Sequence, residues 1–236
     1  MQFIRVENYE QLSEKAAQII ADVVISKPDC VLGLATGSSP IGTYKKLIEW
    51  NKEGKVDFSK AMSINLDEYE GLDGEHDQSY RYFMNNNLFN FINIDKEKTY
   101  VPNGKAEDID AECKAYDERI AKVGGIDIQL LGIGLDGHIG FNEPDEFFTK
   151  ETHKVKLDES TIVANARFFE SIDDVPKTAI TMGMGGIMSA KKVLLIANGQ
   201  NKKDIIEKAF FGPITPKVPA SIVQLHNDVT VIFSEK

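Results

Sequence analysis

The chain contains 236 residues, 42% hydrophobic and 27% charged, and its formal net charge is −10 at pH 7. A chain of this length and composition is expected to form one globular domain over residues 1–236. Its acidic balance argues against nucleic acid or a membrane surface as a partner, because both favour a basic patch. The lack of a signal-peptide pattern and of a long apolar run, with only two cysteines, makes the cytoplasm the expected compartment.

Strand and helix patterns alternate along the chain. Periodic apolar residues predict helices over residues 8–26, 40–50, 108–122 and 201–210, and a further helix that ends near Phe89. Short apolar runs predict buried strands over residues 31–37, 61–66, 126–132, 192–199 and 228–233. This alternation predicts an α/β protein with a Rossmann-like three-layer α/β/α fold and a mostly parallel sheet. Ligands bind such sheets outside the carboxyl ends of the strands, where each candidate motif below begins.

The first motif is TGSSP at residues 36–40, between a predicted strand and a predicted helix. Backbone N–H groups of a Gly/Ser loop at a helix N-terminus form an anion site suited to a phosphate. The loop lacks the G-K-[ST] of a Walker A motif. The turn alone favours the simpler interpretation, an ordinary connection in which Ser39 caps the helix.

The second motif, LDEY at residues 66–69, places two carboxylates at the end of a predicted strand. A carboxylate that is partly buried there has a raised pKa and suits a general base. Acidic residues also begin solvated loops, and further acidic residues follow this segment closely. We interpret Glu68 as a solvated loop residue, whereas Asp67 stays open between the two roles.

The third motif is GIGLDGHIGFNEP, in which Gly132, Gly134 and Gly137 have the G-x-G-x-x-G spacing of a dinucleotide-binding turn. That turn has to open a helix, and Gly140 and Pro144 oppose one here. An acidic residue inside the turn would also repel a phosphate. The pattern therefore gives only weak support to a dinucleotide site.

The same loop contains three titratable side chains within eight residues, Asp136, His138 and Glu143. Carboxylates beside a histidine fix its tautomer and stabilise its imidazolium, which suits a proton shuttle. The same side chains are also usual metal ligands, and a single loop histidine bonded to a neighbouring acid is common. We interpret the group first as an acid–base site and second as a metal site.

Basic residues later in the chain suit a phosphate. Arg167 in ANARFF offers a planar fork, and Lys202 in NGQNKKD offers a point charge. Lys203 competes with Lys202 for this role, and both lysines also fit solvated positions at a helix start. The glycine- and methionine-rich segment 181–190 is interpreted as close packing beneath the site.

Taken in order, several segments resemble the glucosamine-6-phosphate deaminase family: LGLATGSSPIGTY, INLDEYEGL, HDQSYRYFM, DIDAECKAY, GIGLDGHIGFNEP, ANARFF, GMGGIMSAKKVLLIANG and PASIVQLH. The resemblance spans about residues 31–226, and DGHIGFNEP is its most specific part. The related 6-phosphogluconolactonases share DGH, but they continue with small residues and Leu-Phe-Pro and have no acid that matches Glu143.

The resemblance implies conversion of glucosamine 6-phosphate to fructose 6-phosphate and ammonium, without an organic cofactor or a catalytic metal. His138, assisted by Asp136 and Glu143, would open the pyranose ring, and Asp67 would carry the C2 proton to C1. The residues that match phosphate-, sugar- or lid-contacting positions are Thr36, Gly37, Ser38, Tyr80, Gly137, Arg167 and Lys202.

Allosteric members of the family carry a serine and two basic residues soon after the Asn-Glu-Pro. Glu146, His153 and Val155 match those positions here, and the chain ends at Lys236 without a longer extension. We therefore expect simple kinetics and a monomer or small homo-oligomer rather than a hexamer. The alternatives are a 6-phosphogluconolactonase-like hydrolase and a non-catalytic sugar-phosphate-binding protein, neither of which needs Asp67.

Overall fold

The computed structural model describes residues 1–166 and 169–236 of the chain. The strands are β1 (Gln2–Val6), β2 (Val31–Leu34), β3 (Met62–Asn65), β4 (Asp67–Tyr69), β5 (Thr99–Tyr100), β6 (Ile128–Leu131), β7 (His153–Lys156), β8 (Thr178–Thr181), β9 (Val193–Asn198) and β10 (Val229–Ser234). The α-helices are α1 (Tyr9–Ser26), α2 (Ile41–Lys52), α3 (Tyr80–Asn87), α4 (Ile109–Lys122), α5 (Glu159–Asn165), α6 (Met184–Met188) and α7 (Lys203–Phe211). Within the described residues, no helix is long and apolar enough to cross a membrane.

Seven strands form a central sheet in the order β1-β10-β9-β6-β2-β3-β5, and every neighbouring pair is parallel. All residues of β2, β6 and β10 are buried. Because successive side chains of a strand point to opposite faces, both faces of this sheet are covered. The predicted α/β fold with a parallel sheet between two outer layers is confirmed.

The order of the strands determines where a ligand cleft opens. From β2 the chain moves outward through β3 to β5, and it then returns to the other side of β2 as β6. The loops after β2 and β6 therefore leave the sheet in different directions and open a crevice between them. The neighbouring strands β3 and β9 end at the same edge, so four candidate motifs meet there.

A second, three-stranded antiparallel sheet was not expected from the sequence. It has the order β4-β8-β7, and Asp67 of β4 lies opposite Thr181 of β8. The sequence places Asp67 at the end of a strand, and the structure shows that one residue, Leu66, separates it from β3. Its strand, β4, is three residues long and carries two acids, so it has no hydrophobic pattern by which it could be recognised.

The predicted helices have the expected positions, with small differences at their ends. The helix expected to end near Phe89 is α3, which ends at Asn87, and a 3-10 turn, Phe89–Phe91, follows. Segment 181–190, interpreted as packing, contains the end of β8 and helix α6. The edge strands β1 and β5 were missed because one is half exposed and the other has two residues.

Candidate active site

A cleft of about 680 Å³ lies at the carboxyl ends of β2, β3, β6 and β9. Most of the site residues predicted from the sequence line it: Thr36, Gly37, Ser38, Asp67, Tyr80, Asp136, His138 and Lys202. They come from five separate segments of the chain. The parallel sheet brings these segments together because its strands end at one edge.

The loop after β6 carries a compact group of one histidine and two carboxylates. His138 Nδ1 lies 2.8 Å from Asp136 Oδ1 and 3.4 Å from Glu143 Oε2. Both contacts are ion pairs when the imidazole is protonated. Because both acids face Nδ1, the other ring nitrogen, Nε2, is left for a ligand.

The electrostatic environment favours the protonated form of His138. Burial by itself lowers the pKa of this imidazole, but the contacts with Asp136 and Glu143 outweigh burial and raise its pKa to about 9. For Asp136, burial likewise opposes ionisation, yet the contacts with His138 lower its pKa to about 2. At neutral pH the pair is thus a carboxylate beside an imidazolium.

Backbone contacts fix this loop in position. The carboxylate of Asp136 accepts a hydrogen bond from the His138 N–H at 3.1 Å, and Gly134 N–H donates to His138 O at 2.9 Å. A side chain at Gly134 would overlap the imidazole ring of His138. Glycine is needed there so that the ring can lie directly against the backbone.

Glu143 is held from a distant part of the chain. Its carboxylate accepts a hydrogen bond from the Thr161 hydroxyl at 2.7 Å, and Thr161, on α5, also lines the cleft. The side chain of Glu143 is only 8% exposed. No sequence motif points to Thr161, because a threonine inside a short helix has no distinguishing pattern.

Asp67 lies apart from the histidine group and is 5% exposed. Burial raises the pKa of its carboxyl to about 8; the charge of Glu68 adds to this effect and that of His138 opposes it. Gly140 has a φ of +62°, and a Cβ there would lie 3.4 Å from Asp67 Oδ2. The backbone of the third motif thus passes close to the isolated carboxylate.

The interpretation of Glu68 as a solvated loop residue is wrong. Glu68 is 2% exposed, and its carboxylate accepts hydrogen bonds from the backbone N–H groups of Tyr69, Tyr80 and Arg81 at 2.9, 2.9 and 3.0 Å. Burial raises the pKa of Glu68 to about 7, and these three donors limit the rise. The error arises because the following acidic residues are solvated, whereas strand β4 turns Glu68 inward.

The Gly/Ser loop lies between β2 and α2, as predicted, but Ser39 does not cap the helix. The N-cap position is Pro40, which has no side-chain capping bond. Instead, the hydroxyl of Tyr9 accepts a hydrogen bond from Gly42 N–H at 2.8 Å and contacts Ser38 O and Ser39 O at 3.1 and 3.0 Å. Tyr9 also lines the cleft, and its distance along the chain hides this contact from sequence analysis.

The two candidate lysines have different surroundings. Lys202 lines the cleft, and its Nζ donates to Ile133 O at 2.6 Å. Lys203 Nζ lies 3.8 Å from Glu235 Oε1 on the surface. The structure therefore places Lys202, rather than Lys203, at the cleft, while Arg167 lies outside the described residues.

Gly137 differs from the other predicted ligand-contacting residues. It is not among the described residues that line the cleft, and its carbonyl accepts a hydrogen bond from Ala220 N–H at 2.8 Å. Its φ is +95°, and a Cβ there would lie 2.8 Å from Val218 Cγ1. Glycine at this position serves the turn and its packing against the 219–225 segment.

Tyr80 begins α3 at the edge of the cleft, where it packs into an aromatic cluster. Its ring is stacked on Phe141 with centroids 5.8 Å apart, and it is tilted against Tyr69 at 4.9 Å. Phe141 belongs to the same motif as His138. The cluster therefore links helix α3 to the loop that carries the histidine group.

The histidine group also meets the geometric requirement for a metal site. Asp136, His138 and Glu143 each offer a ligand atom, and these atoms lie within 4.8 Å of one another. The two carboxylates that raise the pKa of His138 favour a positive charge between them, which a proton on the imidazole supplies. A metal ion would need the neutral imidazole and would therefore compete with that proton.

Comparison with known proteins agrees with the resemblance. The profile described as glucosamine-6-phosphate isomerases/6-phosphogluconolactonase matches residues 5–232. A glucosamine-6-phosphate deaminase of Lachnoclostridium phytofermentans is 65% identical over 232 residues, which cover 98% of each chain. One of Clostridium perfringens is 58% identical and matches 100% of this chain and 97% of its own.

Solved structures give the same result. A structure described as a monomeric glucosamine-6-phosphate deaminase matches with a TM-score of 0.97 and 46% identity, over 99% of this chain and 97% of that chain. A 6-phosphogluconolactonase of Thermotoga maritima matches 100% of this chain and 99% of its own with a TM-score of 0.77, but at 18% identity it shows only a shared fold. The chain therefore belongs to the glucosamine-6-phosphate isomerase/6-phosphogluconolactonase family.

Proposed function

We propose that this protein is a glucosamine-6-phosphate deaminase, which converts D-glucosamine 6-phosphate and water to D-fructose 6-phosphate and ammonium. The observation that carries the proposal is the presence in one cleft of an isolated buried carboxylate, Asp67, and a separate histidine group around His138. Ring opening and proton transfer at carbon need groups in different protonation states, and two separate environments supply them.

Ring opening is the task of His138. Its Nε2–H donates a proton to the ring oxygen as the C1–O5 bond breaks, and the neutral nitrogen then accepts the proton of the C1 hydroxyl. The imidazolium is restored, and the free aldehyde forms. Asp136 and Glu143 support both steps because they stabilise the charged ring from its Nδ1 side.

Isomerisation and deamination follow at Asp67. The ionised carboxylate removes the C2 proton while the substrate's ammonium group passes a proton to the C1 oxygen, which gives an enolamine. The protonated Asp67 then returns the C2 proton to C1, which leaves a protonated imine at C2. Addition of water to the imine then releases ammonium and leaves the C2 ketone. A carbon-bound proton is weakly acidic, so a buried base with a raised pKa suits this step.

The phosphate fits the other end of the cleft. Thr36, Gly37 and Ser38 lie in the loop before α2, and Lys202 faces the same space. Backbone N–H groups at a helix start and a lysine are common phosphate donors, and they offer local positive potential to the substrate of an acidic protein. We include Arg167 in this set on the basis of the motif ANARFF.

We infer that the enzyme acts in the cytoplasm. The proposed substrate is a sugar phosphate, which is an intracellular metabolite. Cys30 and Cys113 are both free and buried, as expected for a chain that folds in a reducing compartment.

The direct test is to incubate the purified protein with glucosamine 6-phosphate and to measure fructose 6-phosphate and ammonium together. We expect equal amounts of both products, and we expect the rate to be unchanged after dialysis against a chelator. Formation of neither product would contradict the proposal. Hydrolysis of 6-phosphogluconolactone would instead identify a lactonase, and loss of activity in chelator would indicate a metal-dependent reaction.

Replacement of the base gives a second prediction. Asp67→Asn should lower the exchange of the C2 proton with solvent by at least about 10²-fold, because an amide cannot accept that proton. Substrate binding should be largely retained. Exchange is measured by proton NMR in D₂O, and the control is Asp228→Asn, which removes an acid that is half exposed and pairs with Lys192. Exchange at the wild-type rate in Asp67→Asn would exclude Asp67 as the base.

The pH dependence gives a third prediction. Asp67 has to be ionised and His138 protonated, so kcat/KM should rise with pH towards about 8 and fall above about 9. Because the amine of the substrate also titrates, carboxyl titration of the unliganded protein by ¹³C NMR is the control. An acid limb at pH 4 to 5 would show that Asp67 behaves as an ordinary carboxyl.

We further propose that the protein is a monomer or small homo-oligomer without allosteric kinetics. Glu146 is exposed, and Val155 on β7 offers no charge for a phosphate, so the matching positions lack the pair of basic residues. Rates measured against substrate concentration should be hyperbolic, with or without N-acetylglucosamine 6-phosphate. A sigmoidal curve relieved by that sugar, or a hexamer in light scattering, would contradict this.

A further inference from the structure

Glu68 is a buried acid next to the proposed base, and the steps of the proposed reaction assign it no role. It follows Asp67 directly in β4, and its side chain points to the opposite side of the strand from the cleft. It is 2% exposed, and ionisable groups are rarely buried to this extent without a role. Its location between the proposed base and helix α3 suggests what this role is.

The carboxylate of Glu68 is bound by the start of α3. It accepts hydrogen bonds from the N–H groups of Tyr80 and Arg81, the first two residues of this helix. Ser79 binds the next two N–H groups, that of Tyr82 with its hydroxyl and that of Phe83 with its carbonyl. All four N-terminal amides of α3 are thus satisfied, and the helix dipole further favours an anion at this end.

The backbone of Gly104 lies close to Glu68 and Tyr69. A Cβ at Gly104 would lie 3.3 Å from Glu68 Cγ and would overlap the carbonyl of Tyr69. Tyr69 N–H supplies the third hydrogen bond to the carboxylate. The guanidinium of Arg81 points to Thr99, where it donates to Oγ1 at 2.8 Å and to the carbonyl at 2.7 Å, so it offsets the charge of Glu68 only in part.

Few other ionisable groups act on Asp67. Glu68 lies beside it in the strand and His138 faces it from the loop after β6, with opposite effects on its pKa. Four tyrosines also sense its charge: Tyr44, Tyr80 and Tyr116 on surrounding helices and Tyr69 in β4. Burial raises the pKa of each phenol far above neutrality, so all four stay uncharged while Asp67 titrates.

We propose that Glu68 is a positioning residue of the reaction: it holds helix α3, and with it Tyr80, at the cleft, and in its ionised form it places a negative charge beside the base Asp67. This inference rests on the proposed function, since it assigns Asp67 to proton abstraction. The negative charge of Glu68 makes Asp67 a stronger base, although Glu68 itself does not contact the substrate. The hydrogen bonds fix Tyr80 against Phe141 and so join α3 to the histidine loop.

The test compares two substitutions that separate charge from position. Glu68→Gln keeps the size of the side chain but removes its charge, and its amide nitrogen cannot accept the hydrogen bond of Arg81 N–H. We expect the acid limb of kcat/KM to move to lower pH by roughly one unit and kcat at the plateau to fall roughly three- to tenfold, because the base is weaker. Glu68→Asp keeps the charge but is too short to hold α3, so its acid limb should stay in place while KM rises several-fold.

Glu70→Gln is the matched control, since this half-buried acid lies two residues away and pairs with Lys154 at 2.8 Å rather than with α3. Its pH profile should equal that of the wild type. Circular dichroism and thermal melting establish that each variant is folded, and if Glu68→Gln is not, Glu68→Asp still tests the hold on α3. An acid limb of Glu68→Gln at the wild-type pH would overturn the role of the charge, and an unchanged KM in Glu68→Asp would overturn the role in positioning.

A titration of the unliganded protein tests the role of Glu68 independently of the proposed function. The carboxyl of Asp67 in the unliganded protein should titrate at lower pH in Glu68→Gln than in the wild type, as followed by ¹³C NMR. If the wild type forms no fructose 6-phosphate, the proposed function fails whatever this titration shows. If the wild type is active and the titration does not move, the inference about Glu68 fails by itself.

Discussion

The site depends on the burial of two adjacent carboxylates at the edge of the parallel sheet. Asp67 and Glu68 are almost fully shielded from water, which is costly for charged groups unless the surroundings compensate. Helix α3 compensates Glu68 with two backbone N–H groups, and Tyr69 adds a third. Among the described residues, Asp67 has no comparable set of donors, and its pKa is raised further than that of Glu68, to about 8 against about 7. One pair of neighbours thus yields a carboxyl that anchors a helix and a proposed base.

The second titrating centre is organised in the opposite way. His138 lies half-buried between two acids, and their attraction outweighs the effect of desolvation, so its pKa rises rather than falls. Its environment favours the charged form, while that of Asp67 favours the neutral form. A reaction that protonates oxygen and deprotonates carbon needs such a contrast, and the fold provides it within one cleft. The loop glycines Gly134 and Gly140 allow both centres to approach the backbone closely.

Contacts between distant segments position the histidine group, the Gly/Ser loop and helix α3. Thr161 on α5 holds Glu143, Tyr9 on α1 holds the Gly/Ser loop, and Tyr80 on α3 stacks on Phe141 beside the histidine loop. None of these contacts belongs to a recognisable sequence motif. Each joins residues at least 18 positions apart, so a local pattern cannot reveal it. These contacts nonetheless hold Glu143, the Gly/Ser loop and the histidine loop in their positions at the cleft.

Local patterns of buried strands predicted the α/β class and the five strands of the sheet interior. The loop motifs, together with the family resemblance, predicted Asp67, Asp136 and His138, which line the cleft, and Glu143, which lies beside His138. The sequence could not determine the short strand β4, which turns Glu68 inward, or the placement of Gly137 behind the cleft. It also left Lys203 as a competitor of Lys202, since the two are neighbours in the chain. These points are visible in the tertiary structure, because burial and pKa depend on groups that are distant in sequence and meet when the strands pair.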